Sequence, residues 1–261
     1  MHETLFSKQE AEGDELLAMG NYAQAADAYE QVKNPNVRVL NKHGCLLRER
    51  LQDPEGALDR HREALEKASD RGRVDTYIYL GLAHYDLSQY AEALQCYTQA
   101  FRIVENDKYH DPSTTALCLS GMGNVYWAQK EYDQALSCAQ RALMIRENEV
   151  RPRNDLETAT SLGNVANILH DKGDSDNAVV YAKRAIDLLS VCAEGDRRLA
   201  AAWNNLGAMH QSQGDYIHAR ECYEFALKCT PEGNQAYQQI TSKNIALLDE
   251  LEQKNKSSVK S

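Results

Sequence analysis

The sequence predicts an all-α fold: six antiparallel helix pairs stacked into a solenoid and closed by one further helix. Three observations carry this. A segment of one pattern recurs six times along the chain. Within each copy, small and aromatic residues fall at helical spacing. Finally, only 5 Pro and 14 Gly occur in 261 residues, which argues against a loop-rich or all-β chain.

The recurring segments open at a polar turn, as in "GNYAQAADAYEQV" from Gly20, "SQYAEALQCYTQAF" from Ser88 and "GDYIHARECYEFAL" from Gly214. Their turn-side alanines are Ala25, Ala57, Ala93, Ala135, Ala178 and Ala219, separated by 32, 36, 42, 43 and 41 residues. Ala219, Tyr223 and Ala226 stand at i, i+4 and i+7, one face of a helix. Upstream, Trp203, Leu206, Gly207 and His210 share a face of a preceding helix. Gly207 costs about 1 kcal/mol of helix propensity relative to Ala, so tight helix contact is the expected reason for it. Gly13, Gly81, Gly123 and Ala166 are its counterparts. The second copy carries an extra residue, which leaves either Gly44 or Cys45 for the small position. Tyr22, Tyr90, Tyr132 and Tyr216 follow the turns, where an aromatic closes the hairpin. Cys96, Cys138 and Cys222 each lie three residues after the turn-side Ala, as packing residues. Each pair must stack on its neighbours to bury its apolar face.

The run Trp203, Leu206, Gly207, His210, then Gly214-Asp215-Tyr216, Ala219, Tyr223, Ala226 and Pro231 resembles a tetratricopeptide repeat, with His210 where that family has its first-helix aromatic. The resemblance implies a right-handed superhelical solenoid over residues 1–232, in units of about 4–34, 36–69, 73–106, 113–150, 155–193 and 197–231. Against the ordinary period of about 34 residues, the later units are spaced by 42, 43 and 41. Their long period and Asn-rich first helices resemble kinesin light chains and Pins-type polarity adaptors, which are cargo and partner adaptors. After Pro231, Ala236, Ile240, Asn244, Leu247, Leu248 and Leu251 predict a capping helix over 233–254, and residues 255–261 read as a disordered tail. Met1 and that charged tail suggest natural ends.

Composition narrows the function. Lys plus Arg number 29 against 39 acidic residues, a formal charge of -10. Nucleic acid needs a basic footprint and is therefore not the expected partner. The seven cysteines include no C-x-x-C pair, which disfavours a zinc ribbon or a disulfide framework. The N-terminus has no apolar secretory core, and no run is long enough to insert in a membrane. A cytoplasmic protein with no cofactor and no metal is expected. None of the usual hydrolase, metalloprotease or phosphate-loop motifs occurs, so no catalysis is expected.

A binding surface is expected on the first helix of each unit, which the resemblance places on the concave side. Asn164 and Asn205 are 41 residues apart and Asn124 and Asn167 are 43 apart, both repeat spacings, with Asn204 adjoining. Asn is a poor helix former, and its carboxamide offers two donors and an acceptor. A ladder of them can hold the backbone of an extended peptide, as the resemblance to peptide-holding repeat proteins implies; simple solvation or bonding inside the solenoid is the alternative. Trp127, Tyr85 and His170 lie about one turn further on, as anchors for a ligand side chain or as packing between units. Arg38 and Lys42, on a helix that also carries Arg48 and Arg50, could attract an acidic segment, or form an ordinary solvated face. Glu10 and Asp14 stand where chaperone-type relatives place a carboxylate clamp, so that clamp is not expected. The reading is an adaptor that holds an extended peptide of a partner protein. The recognition part of a larger enzyme and a structural subunit binding through other faces are the alternatives.

Overall fold

The computed structural model describes residues 8–106, 111–152, 154–192, 197–230 and 234–258. Every regular element among them is an α-helix. The chain divides into two compact units, residues 1–129 and 130–261. The first contains the pairs α1 (Lys8–Ala18) and α2 (Tyr22–Glu30), α3 (Val37–Arg50) and α4 (Pro54–Lys67), α5 (Asp70–Asp86) and α6 (Tyr90–Asn106), then α7 (Pro112–Ala128). The second contains α8 (Tyr132–Asn148), the pairs α9 (Asp155–Lys172) and α10 (Ser175–Cys192), α11 (Arg197–Ser212) and α12 (Tyr216–Cys229), and finally α13 (Gln235–Ser258).

Local sequence sets where these helices begin and end. Asn36, Asp53, Asp111, Asn154 and Asp215 each accept a bond from a backbone N–H of the first turn, satisfying donors that a helix start leaves open. Pro54 and Pro112 occupy first-turn positions where no donor is lost. Each hairpin turns through one residue of positive φ: Gly20, Gln52, Ser88, Lys130, Gly173 and Gly214. The chain then closes with a backbone bond back into the helix, such as Gln89 N–H to His84 O at 2.8 Å and Asp215 N–H to His210 O at 3.0 Å. In the α3–α4 turn that bond runs from Asp53 to Leu47 instead, at 2.9 Å, and so encloses the extra residue. The surplus is absorbed in the turn, and Gly44 takes the small position.

The small positions receive rings. A Cβ on Gly13 would stand 2.7 Å from Tyr29, one on Gly44 2.5 Å from His61, and one on Gly207 2.6 Å from Tyr223. Tyr97 is held from two sides, by Gly81 of its own pair and by Gly121 of α7, where added Cβ atoms would lie 2.9 and 2.5 Å away. The sequence reading singled out Gly123, which is buried, and overlooked Gly121. In the fifth pair both positions are alanines, Ala166 and Ala182, and both are buried.

α13 covers α12 through Leu248, which is fully buried with Ala219 and Tyr223, flanked by Ile245 and Tyr216. Arg220 and Asp249 add an ion pair at 2.6 Å. The inward stripe is therefore Thr241, Ile245 and Leu248, at i, i+4 and i+7, which shares Leu248 with the expected stripe and replaces Ile240 and Leu247. Ile240 and Leu247 are half exposed. The helix also runs past 254 to Ser258; Glu252, Gln253 and Lys254 favour helix, so residues 255–258 are helical where a disordered tail was expected. Pro231 and residues 259–261 lie outside the described residues. No helix of the described residues is long and apolar enough to cross a membrane.

Candidate functional site

In the N-terminal unit a groove of about 840 Å3 follows α3, bounded by α1 and Tyr22 on one side and by α5 on the other. Three successive first helices thus build it. Arg38 and Lys42 line it, as the sequence suggested, but they are not a free basic patch. Arg38 Nη2 donates to Glu10 Oε1 at 2.5 Å, and Lys42 Nζ donates to both Asp14 oxygens at 2.8 Å. Glu10 is buried at 3% exposure, and a buried carboxylate needs such a partner. The Tyr29 hydroxyl also donates to Asp14, at 2.5 Å. Burial alone would raise the Asp14 pKa; the bonds from Lys42 and Tyr29 and the positive charges of Lys42 and Arg38 outweigh it and hold the carboxyl below its usual value. Burial, with Asp14 beside it, pushes the Tyr29 phenol up. The expected lure for an acidic segment is thus largely an internal brace.

Beneath the groove lies a polar chain that the sequence reading did not identify. Asn41 accepts from His61 Nδ1 at 3.0 Å, and its Nδ2 donates to Thr76 Oγ1 at 3.0 Å. Thr76 in turn donates to the Gly72 carbonyl. The chain links α3, α4 and α5. His61 is fully buried, stacks on Tyr79 with ring centroids 5.3 Å apart, and is pushed down to about 4 by burial. Its neutral ring occupies the place of the tyrosine in other pairs. The available signals were Asn41 three residues before Gly44, matching Asn204 before Gly207, and His61 four residues after Ala57.

Tyr85 belongs to a different environment. It packs on the core of the third pair and against Tyr90, with centroids 5.8 Å apart, and does not line the groove. Its structural role is to close the hairpin. Asn124 and Trp127 sit half-buried on α7.

In the C-terminal unit the expected asparagines come together in pairs. Asn205 Nδ2 donates to Asn167 Oδ1 at 3.2 Å, joining α11 to α9, and Asn244 Nδ2 donates to Asn204 Oδ1 at 3.0 Å, joining α13 to α11. All four are half-buried. Each bond uses one donor and one acceptor, so every carboxamide keeps further capacity. Asn164 is half-buried on α9 and its side chain has no hydrogen bond among the described residues, and His170, on the same helix, keeps a buried Nδ1 without one. Among the described residues no group of His, Cys, Asp or Glu could hold a metal ion.

Comparison with known proteins agrees with the helix-pair architecture. The family description that matches is "Tetratricopeptide repeat", over residues 72–148, 114–190 and 157–232, more than half of the chain. Human tetratricopeptide repeat protein 17 is 32% identical over 144 residues, 54% of this chain and 11% of that protein. Human protein O-mannosyl-transferase TMTC1 is 23% identical over 201 residues, 67% of this chain and 21% of that protein. The chain therefore spans about a fifth of one of these curated relatives and about a tenth of the other. Among solved structures, the crystal structure of the APC/C hetero-tetramer Cut9–Hcn1 superposes with a TM-score of 0.70 at 14% identity, over 92% of this chain and 42% of that one, a likeness of fold.

Proposed function

Because the chain belongs to the tetratricopeptide repeat family, whose fold serves protein–protein interaction and scaffolding, we propose that it is a non-catalytic adaptor that binds an extended segment of a partner protein along its first helices. The observation that carries this reading is the N-terminal groove, built by α1, α3 and α5 in succession. Such a groove follows the repeat and fits a chain running across helices. The asparagines of the C-terminal unit support the same mode: Asn164, Asn167, Asn204 and Asn205 recur on α9 and α11, and carboxamides bond a backbone without reading its sequence. Trp127 and His170 are anchors for ligand side chains in this proposal, and Asn124 on α7 is a further amide proposed to meet a ligand within the N-terminal unit. The long repeat period relates the reading to adaptors of the kinesin light chain type. The cytoplasm is the compartment proposed, in keeping with cysteines that are free wherever they are described.

A second reading is favoured by one observation, the small share of TMTC1 and of tetratricopeptide repeat protein 17 that the chain covers: it would then be the recognition part of a longer protein, an enzyme included. A peptide array probed with the full chain tests the binding mode. The adaptor reading expects binding to short extended peptides, and Asn167→Ala with Asn205→Ala should weaken it by about tenfold with little change in melting. Binding of folded proteins alone, with no peptide retained, would sink it.

A further inference from the structure

We propose that the segment held in the N-terminal groove carries an acidic side chain bound by Arg50, beside an aliphatic side chain seated on Leu17, Ala18 and Cys45. This rests on the groove reading above and adds the chemistry of the ligand.

Most of the groove's charges are already used. Six charged residues line the groove: Asp14, Arg38, Lys42, Glu49, Arg50 and Asp75. Arg38 and Lys42 are taken by Glu10 and Asp14, and Glu49 is taken by Arg48 at 2.7 Å. Asp75 is engaged as well. Arg50 has no ion pair among the described residues. It stands exposed at the last turn of α3, and its guanidinium carbon lies 5.3 Å from the Tyr22 ring centroid. A ring beneath a guanidinium steadies its plane and leaves the N–H edges outward, where a carboxylate can take two of them. Tyr22 also lines the groove, so the cation is fixed at the mouth rather than on an unrelated face.

The surrounding surface sets the rest. Leu17, Ala18 and Cys45 are apolar members of the same lining, and Leu17 packs with Tyr22 against one core cluster. Burial pushes the Cys45 thiol up to about 11, so it presents an uncharged side chain. One uncommitted cation beside an apolar floor fits one carboxylate next to one aliphatic group. A run of acidic residues or a polyphosphate fits poorly, because the chain as a whole carries -10 and would repel it.

The test selects peptides from a random-sequence library on the immobilised full chain and follows the strongest binder. The expected binder has Asp or Glu adjoining Leu, Ile, Val or Met. Changing its acidic residue to the amide, or Arg50→Gln in the protein, should each weaken binding by about five- to tenfold, with no further loss when both are combined. Amidating the peptide's C-terminus should change nothing. Ala18→Trp, at an exposed position of the lining, should block the groove without unfolding the chain, which melting curves check. Arg50→Gln binding like wild type while Ala18→Trp does not bind overturns the acidic-ligand proposal and leaves the groove. Ala18→Trp binding like wild type, or a library that yields no binder, overturns both. A loss confined to the C-terminally amidated peptide assigns the carboxylate to a chain end and overturns the side-chain assignment.

Discussion

The first helices of the N-terminal unit are tied to one another by charge and by one amide, Asn41, that a buried imidazole holds; those of the C-terminal unit are tied by paired amides alone. In the first, Glu10 and Asp14 on α1 hold Arg38 and Lys42 on α3, and Asn41 on α3, which accepts from His61 on α4, donates to Thr76 on α5. In the second, Asn167 meets Asn205 and Asn204 meets Asn244. The backbone problem is the same in both: successive first helices must be joined while leaving a surface that a partner can use. Charges join them firmly but are consumed by doing so, which is why only Arg50 of the groove cations is left. Amides join them weakly and keep spare donors and acceptors. The two units should therefore answer differently to acid, to salt and to amide deletion, and alike to added bulk at the ring contacts that both share.

Acid has the largest expected effect. His61 titrates near 6.5 when unfolded and near 4 when folded, because burial disfavours its cation. Between those values the unfolded chain binds more protons, so stability is full above about pH 6.5 and falls as pH drops toward 4. At 1.36 kcal/mol per unit the loss is about 3 kcal/mol. His43 and His210 are also lowered by burial and act with the same sign. Urea melts across this window should show the slope, and His61→Phe, which keeps a ring against Gly44, should flatten most of it. An unchanged slope would mean that His61 is not the buried group described.

Bulk comes next. Gly44→Leu and Gly207→Leu drive a side chain into His61 and Tyr223, which are ring faces with little room to give. Each should cost about 1–3 kcal/mol, visible as a lower melting temperature. Equal melting would show that these rings are not seated as described.

Removing one ionic tie is smaller. Asp14→Asn should cost about 1 kcal/mol at low salt, and raising salt should shrink the difference from wild type, because Lys42 and Asp14 are partly exposed. A difference that grows with salt would contradict the brace. The amide pair gives the smallest change: Asn167→Ala with Asn205→Ala should alter melting by about 0.5 kcal/mol or less, since Ala regains helix propensity as the bond is lost, and salt should not matter. A large loss of stability would make these residues internal struts and remove them from the binding surface.

The repeat, its small positions and their rings were legible because a small residue and a ring sixteen positions apart, as in Gly13 and Tyr29, Gly81 and Tyr97, and Gly207 and Tyr223, mark helix contact in one unit after another. Gly44 was left level with Cys45 because sequence spacing does not say whether a surplus residue lies in a helix or in a turn; the Asp53 to Leu47 bond puts it in the turn. Arg38 and Lys42 were legible as cations, but their commitment was not, because Glu10 and Asp14 reach them from another helix, 28 residues away for both direct bonds. His61 escaped notice as a tyrosine substitute, since a lone His carries no helical signal of its own. Leu248 of the cap's stripe was legible, but Ile240 and Leu247 were wrongly placed beside it because α13 offers two overlapping apolar rows, and contact with Ala219 and Tyr223 selects the one through Ile245 and Leu248.

Hydrogen–deuterium exchange of the full chain, with and without a saturating amount of a selected peptide, tests the central claim most directly. The account predicts added protection on the first helices, α3 and α5 around the groove and α9 and α11 around the paired asparagines, with α4, α6, α10 and α12 unchanged. Protection confined to the second helices, with none on α3 or α5, would contradict it.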